Sequence, residues 1–481
     1  MEAAVGRAAA GDLAGAGVLL EDALPRCPDH LGVLRELAAV RFREGRRADA
    51  EALARRLLVL DPQLEWGWDL LGTLRYLDDD AVAALRAWNR IGRPRLGAVD
   101  VVGPAGAPPS PGTRLRPGSV VTPEDLVRAR RRLEAVPTVN RARVSYRPLP
   151  GGQVRVEGTV TRHPPHTLTR GVLPAHLARA VGGALRIEAA DRAGRGEHIT
   201  LHGALDRDLR EVGLTLALPA PGGAASALDW TANHRVTKLE NRRTERTGGR
   251  ATVRPWPTAR TRGSAGFGVD HWPGFGTHAV LEGTAKLDLG RVVALDLGGS
   301  WWTGGFGLTE VALGTLVDRS SVPGAREAVG GEGADRLAVG PALRSRTTLT
   351  ALHGVVPGGT PDDLAPRFGG RRSSTHPMRA AGRVLPPGDA WLHGTVEVTH
   401  GWATPTGILV GGALFADAVR GLGSAAGDPG DPGGPGPGTV NLGTGLRLGV
   451  PGAQGWLRAD WAVDPSTGRS RVSVAWVGRD G

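Results

Sequence analysis

The spacing of apolar residues changes along the chain. Over roughly the first hundred positions they recur at helical spacing, and from about residue 173 onward they alternate with polar ones. In the first segment a shift of 34 residues superposes Gly11 on Gly45, Ala16 on Ala50 and Ala84, Pro28 on Pro62, Leu34 on Trp68, Leu37 on Leu71, Ala38 on Gly72 and Phe42 on Tyr76. Two packed antiparallel helices need this mixture, with bulky residues for the shared core and small ones where the helices touch. The pattern predicts one full helical unit over 30–62 and a second, more degenerate, over 63–92.

A short α/β stretch follows. Residues 98–106 read as a strand closed by Gly-Pro, and 107–118 as a Pro/Gly-rich linker. Thr122, Pro123, Glu124 and Asp125 form a complete helix start, with a capping hydroxyl, a proline at the first helical position and acids facing the positive end of the dipole. Leu126, Ala129, Leu133 and Val136 make the apolar stripe, and Pro137 ends the helix. Ala142, Val144 and Tyr146, then Val154, Val156, Gly158 and Val160, alternate on two strands joined at Pro150, Gly151 and Gly152, a hairpin.

Beyond it come about fourteen to sixteen alternating runs of roughly 8–11 residues, the length that crosses a bilayer when tilted. Leu281, Gly283, Ala285, Leu287 and Leu289 stand against Glu282, Thr284, Lys286 and Asp288. Leu457, Ala459, Trp461 and Val463 stand against Arg458, Asp460, Ala462 and Asp464. A soluble sandwich also alternates. Repeated charges on the polar face and the lack of intervening helices favour a membrane barrel with a wet lumen. Aromatic residues are 4% of the chain, few for interfacial girdles; Trp230, Trp272, Trp301, Trp302, Trp402, Trp461 and Trp476 are the candidates for a sparse one.

Composition narrows the function. No stretch approaches roughly 18 uninterrupted apolar residues, which excludes membrane helices but not a barrel. The net charge is +11, yet nearly all of it is arginine spread through every segment, with Lys238 and Lys286 the two lysines. Nucleic-acid binding would cluster it on one face, so no nucleic-acid partner is expected. Cys27 is alone, which rules out an intrachain disulfide and a cysteine-based zinc site; a small core residue is expected there. The 13 histidines show no HExxH or clustered spacing, so neither metal nor cofactor is expected. No nucleophile–base pair stands out, and no enzymatic activity or catalytic residue is expected.

Residues 61–77 give the best copy of a tetratricopeptide-like unit, and the segment 1–96 resembles that repeat. The strand, helix and hairpin of 97–164 resemble a POTRA domain, the periplasmic module of the BamA/TamA family. Its first helix would fall within 107–118, which is short and proline-rich. Residues 185–219 resemble the opening strands of that family's barrel, with Gly194, Arg195, Gly196 and Glu197 at the first turn; 388–421 and 443–463 resemble its later strands. The chain is thus similar to a BamA/TamA-family outer-membrane protein. The fold class implied is multidomain, with an all-α helical repeat at 1–96, a small α/β POTRA-like module at 97–164 and an all-β transmembrane barrel at 165–481, of 16 strands by resemblance.

The resemblance implies insertion or assembly of outer-membrane proteins. Its partners would be the outer-membrane bilayer, unfolded outer-membrane protein clients or a secreted partner, and a periplasmic protein bound by the repeats. A two-partner-secretion-type exporter, or a repeat scaffold anchored by an inert barrel, are the alternatives. The edge strand of the POTRA-like hairpin is either a client docking site or simply solvated. The N-terminal domains would be periplasmic. The first residues carry no signal peptide, and the first repeat opens inside a helix, so the expectation is that the true N-terminus lies upstream of Met1; the other reading is a cytoplasmic chain with no barrel.

In the family a loop folds back into the lumen, and its arginine tip is held by acids. Residues 368–384 occupy that place, and Arg379 matches the tip arginine, although Ala380 and Ala381 replace the usual glycine and aromatic. Phe415 and Asp417 match the family's Phe-x-Asp-x-Gly, with Val419 in place of the glycine. Strand parity independently sends Phe415, Asp417 and Glu397 to the lumen. The expected site is therefore Arg379 at the loop tip, Asp417 and Glu397 as its acidic partners and Phe415 beside them. The alternative is that Arg379 is one of many lumen or loop arginines without a unique partner. Residues 423–439 lack core-forming side chains and read as a mobile loop on the extracellular side.

Overall fold

The computed structural model describes residues 1–103, 113–163, 180, 184–205, 209–239, 242–290, 292–320, 341–355, 379–380, 390–403, 409–422, 439–449 and 455–478. Residues 107–112 of the expected linker and 423–438 of the expected loop fall outside these residues. The chain packs as two units, Met1–Arg130 with Val144–Thr159, and Arg131–Arg143 with Val160–Gly481.

Six helices open the first unit: α1 Glu2–Ala9, α2 Leu13–Ala23, α3 Leu31–Arg43, α4 Arg47–Leu60, α5 Glu65–Leu77 and α6 Ala81–Asn89. The starts of α2, α4 and α6 fall 34 residues apart, as do those of α3 and α5. Gly11, Gly45 and Asp79 precede the even helices at the same spacing, and all three have positive φ (90°, 76° and 60°). The turn therefore demands a left-handed residue there, and the third copy carries an aspartate, a residue that tolerates it. Ala16, Ala50 and Ala84 are fully buried. Gly72 leaves room for the Trp88 indole, which a Cβ would strike. Cys27 departs from expectation: it is exposed, because the chain between Pro25 and Pro28 has left the helix.

Strand β1 (Arg95–Val102), helix α7 (Pro123–Glu134) and strands β2 (Val139–Leu149) and β3 (Gln153–Arg162) follow, in a sheet ordered β1-β3-β2 with β1 parallel to β3. The Thr122 hydroxyl accepts from the Asp125 N–H at 3.2 Å while the Asp125 carboxylate accepts from the Thr122 N–H at 3.0 Å, a reciprocal cap. Ala84, Leu85 and Trp88 of α6 share one core with Leu96, Val121, Tyr146, Val154 and Val156. The expected boundary at 96/97 thus runs through a common core, which the Tyr146 hydroxyl pins by donating to the Ala81 carbonyl at 2.8 Å.

The second unit is dominated by strands β4 (Ala184–Ala190), β5 (His198–Leu205), β6 (Leu209–Pro219), β7 (Ala227–Leu239), β8 (Arg242–Arg254), β9 (Thr261–Trp272), β10 (Gly276–Asp288) and β11 (Val293–Trp302). The series continues with β12 (Phe306–Ser320), β13 (Pro341–Val355), β14 (Ala390–Ala403), β15 (Leu409–Leu422), β16 (Thr439–Gly449), β17 (Gly455–Val463) and β18 (Ser470–Gly478). Each pairs with the next in chain order, so among the described residues β4 to β18 form one antiparallel sheet of 15 strands. The resemblance implies 16; that number comes from the family, since alternation marks runs of residues without fixing how strands pair.

The two faces of this sheet differ. Leu414 and Leu446 are each 67% exposed and Trp461 51%, whereas their sequence neighbours Phe415, Arg447 and Asp460 are buried. Apolar side chains face out and charged ones in, the reverse of a soluble protein. A sheet buries polar side chains on one face by curling on itself, and the arrangement is consistent with a β-barrel. Of the tryptophans expected at a girdle, Trp230, Trp301, Trp402 and Trp461 are exposed. Trp272 and Trp302 are not: both are buried and pack with Phe306. Parity is the reason, since Trp301 and Trp302 are adjacent on one strand and must point to opposite faces. The Trp476 side chain lies outside the described residues.

Candidate functional site

The inward face of β14 to β17 is set by register. Glu397 lies opposite Phe415, Thr395 opposite Asp417, Asp417 opposite Asn441, Gly445 opposite Asp460, and Arg447 opposite Arg458. Directly paired residues share a face, so these side chains form one polar patch. Into it come Arg379 and Ala380, the two described residues between β13 and β14.

Arg379 is buried among carboxylates. Its Nη2 donates to Glu397 Oε2 at 2.7 Å, and its Nε lies 3.6 Å from Asp417 Oδ2 and 3.5 Å from Asp460 Oδ2. The guanidinium carbon stands 3.8 Å from the centre of the Phe415 ring, a cation–π contact between two buried side chains. Main-chain bonds fix the tip as well. The Arg379 N–H donates to Asp417 at 3.3 Å, and the Asn441 carboxamide oxygen, turned toward the loop, accepts from the N–H groups of Ala380 at 3.0 Å and Arg379 at 3.1 Å. Ala380 packs on Phe415 and Ala462.

Two strand arginines complete the network. Arg447 binds Glu397 at 2.9 Å and Asp460 at 2.5 Å, and Arg458 lies 3.4 Å from Asp460. The Thr395 hydroxyl donates to Asp417 at 2.7 Å. Three guanidinium groups face three carboxylates, so the buried patch is neutral when all six are ionised. That balance makes six charges tolerable where a lone one is not.

The structure therefore brings together all four residues singled out from the sequence: Arg379, Asp417, Glu397 and Phe415. Sequence reasoning missed Arg447, Asn441, Thr395 and the roles of Arg458 and Asp460. Alternation places Arg458 and Asp460 on the polar face, but partners are set by register between strands, which a linear pattern does not carry. Ala381 lies outside the described residues. Chemically, the arrangement is a lock for a loop: it fixes a main-chain tip through charge and hydrogen bonds. It is distinct from the second inward cluster, where Asp270 accepts from Trp302 Nε1 at 2.8 Å and from Arg250 at 2.7 Å.

No family model and no curated protein matches the chain. Among solved structures, it is similar to BamA from Haemophilus ducreyi lacking POTRA domains 1–3, with 13% identity, a TM-score of 0.46, and coverage of 80% of this chain and 84% of that one. It is also similar to CdiB from Acinetobacter baumannii, with 12% identity, a TM-score of 0.49, and coverage of 80% and 73%. The globular C-terminal domain of Pseudomonas aeruginosa LpoP matches over 18% of this chain and 88% of its own length, at 31% identity and a TM-score of 0.18.

Proposed function

We propose that this chain is an outer-membrane β-barrel that acts in the insertion or assembly of outer-membrane proteins. In this reading the tetratricopeptide-like helices and the POTRA-like module stand in the periplasm and dock clients or a partner protein. The observation that carries the proposal is the buried Arg379, bound to Glu397 and beside Asp417 and Asp460 on the inward face of an outwardly apolar sheet. An inert anchor has no need of an ordered loop tip inside its barrel. A protein that must open and reseal its wall has a use for a reversible brace there. No catalytic step is assigned to these residues.

The test is depletion of the protein followed by quantification of several unrelated outer-membrane proteins. Loss of many at once supports assembly. Loss of a single secreted partner would instead mean export, and loss of none would leave a scaffold held by its barrel.

A further inference from the structure

The hairpin β4–β5 carries a second constellation at the opposite edge of the sheet. Glu188 pairs with Thr200 and Ala190 with His198, so Glu188 and His198 sit diagonally on one face. Glu188, Ala190 and Thr200 are buried, which makes this the inward face. His163, the residue after β3, belongs to the same packed unit and reaches this face. Its ring stacks on that of His198 with centroids 4.2 Å apart, and its Nδ1 lies 3.8 Å from Glu188 Oε2. One ligand atom from each of the three residues falls within 4.8 Å of the other two.

Two ring nitrogens of these histidines stand out. His163 Nδ1 and His198 Nε2 are buried and make no hydrogen bond. Native structures rarely leave buried nitrogens unpaired, and when they do the reason is often an ion or water. The other oxygen of Glu188 takes Arg186 Nε at 2.5 Å, so the carboxylate is held by a charge-assisted bond while Oε2 lies 3.8 Å from His163 Nδ1. Metal-ligating carboxylates are commonly braced in this way.

We propose that His163, Glu188 and His198 form a binding site for a divalent transition-metal ion, with zinc the best fit. Two imidazole nitrogens and one carboxylate oxygen are a donor set for zinc, and they leave a fourth position for water or a partner's side chain. Tetrahedral zinc places its ligand atoms roughly 3.4 Å apart, from bonds of about 2.0–2.1 Å. The His163–Glu188 spacing needs a few tenths of an ångström of closure. The stacked rings need more, because each lone pair lies in its ring plane; the His198 ring must turn so that both nitrogens converge. Binding should therefore break the stack and tie His163 to the β4–β5 hairpin. HExxH-type spacing did not reveal the site because its ligands come from three separate segments.

The test uses the full chain folded in detergent–lipid micelles, stripped with a chelator and titrated with zinc chloride against a chromophoric competitor. The expected result is one zinc per chain, with affinity lowered at least about 100-fold in His163→Ala and in His198→Ala, since even outer partners of such ligands are worth about 10–100-fold. Cobalt(II) in the same site should give the intense visible bands of tetrahedral coordination, and these should vanish in Glu188→Gln. The heat-dependent shift of the folded barrel on a denaturing gel gauges folding of each variant. If a variant misfolds, the unfolding temperature of the unaltered chain with and without zinc decides: a rise of several degrees supports the site. Zinc affinity equal in the unaltered chain and a folded double His variant, or no rise with zinc, overturns it.

Discussion

Removing the Arg379 side chain tests the lock. With Arg379→Ala, Glu397 keeps Arg447 at 2.9 Å, and Asp460 keeps Arg447 at 2.5 Å and Arg458 at 3.4 Å. Asp417 fares worse. Arg379 is its one ion-pair partner among the described residues, and it would retain only the Thr395 hydroxyl at 2.7 Å and the main-chain N–H. Stripping a buried charge of its partner costs about 3–5 kcal/mol. One carboxylate of three is stranded and keeps a hydrogen bond, so the lower end, about 3 kcal/mol, is expected. Urea unfolding of the chain in lipid vesicles, followed by tryptophan fluorescence, measures it. Asp417→Asn in the same background removes the stranded charge and should recover part of the loss, a coupling of about 1–3 kcal/mol. A loss below about 0.5 kcal/mol, the scale of an ordinary surface change, or additive effects of the two substitutions, would refute the reasoning.

Arg379→Lys should recover only part of the Arg379→Ala loss in the same assay, because a point-like ammonium does not stack on Phe415 and reach several carboxylates at once. In Gly443→Ala the added Cβ meets the Trp461 carbonyl and the Phe415 ring, and overpacking of about 1–3 kcal/mol should appear in the same urea unfolding assay. Tyr146→Phe deletes the bond to the Ala81 carbonyl and should lower the thermal stability of the first unit by about 1 kcal/mol, read by helical circular dichroism. Leu414→Arg alters a side chain that is 67% exposed; it should be harmless in a soluble protein but cost about 2–4 kcal/mol of folding in vesicles.

Much of this fold follows from local chemistry. The 34-residue spacing of the helices is written in Gly11, Gly45 and the buried alanines, because helix contacts and turns constrain residue size and φ within one repeat. The α7 start is equally local, as Thr122 and Asp125 cap each other. Strand parity places Asp417, Phe415 and Glu397 inward without knowledge of their partners. What escaped depends on register and return of the chain. Trp272 and Trp302 were expected at a girdle because their type suggested it, yet parity sends both inward. Arg447 finds Glu397 across β15, a neighbour 50 residues away that only the assembled sheet reveals. The His163 site draws on the segment after β3 and on both arms of the first hairpin, and no spacing rule joins them.

The central claim is that the outer face of the sheet meets lipid while the inner face encloses a polar interior. Two adjacent pairs of positions on β15 decide it. In a Cys27→Ser background, Leu414→Cys and Ala418→Cys place an environment-sensitive fluorophore on the outer face, and Ala413→Cys and Val419→Cys place it on the inner one. With the full chain folded into vesicles whose acyl chains carry bromine, fluorescence should be quenched at 414 and 418 and spared at 413 and 419. Equal quenching at all four positions, or none at any, would contradict the account.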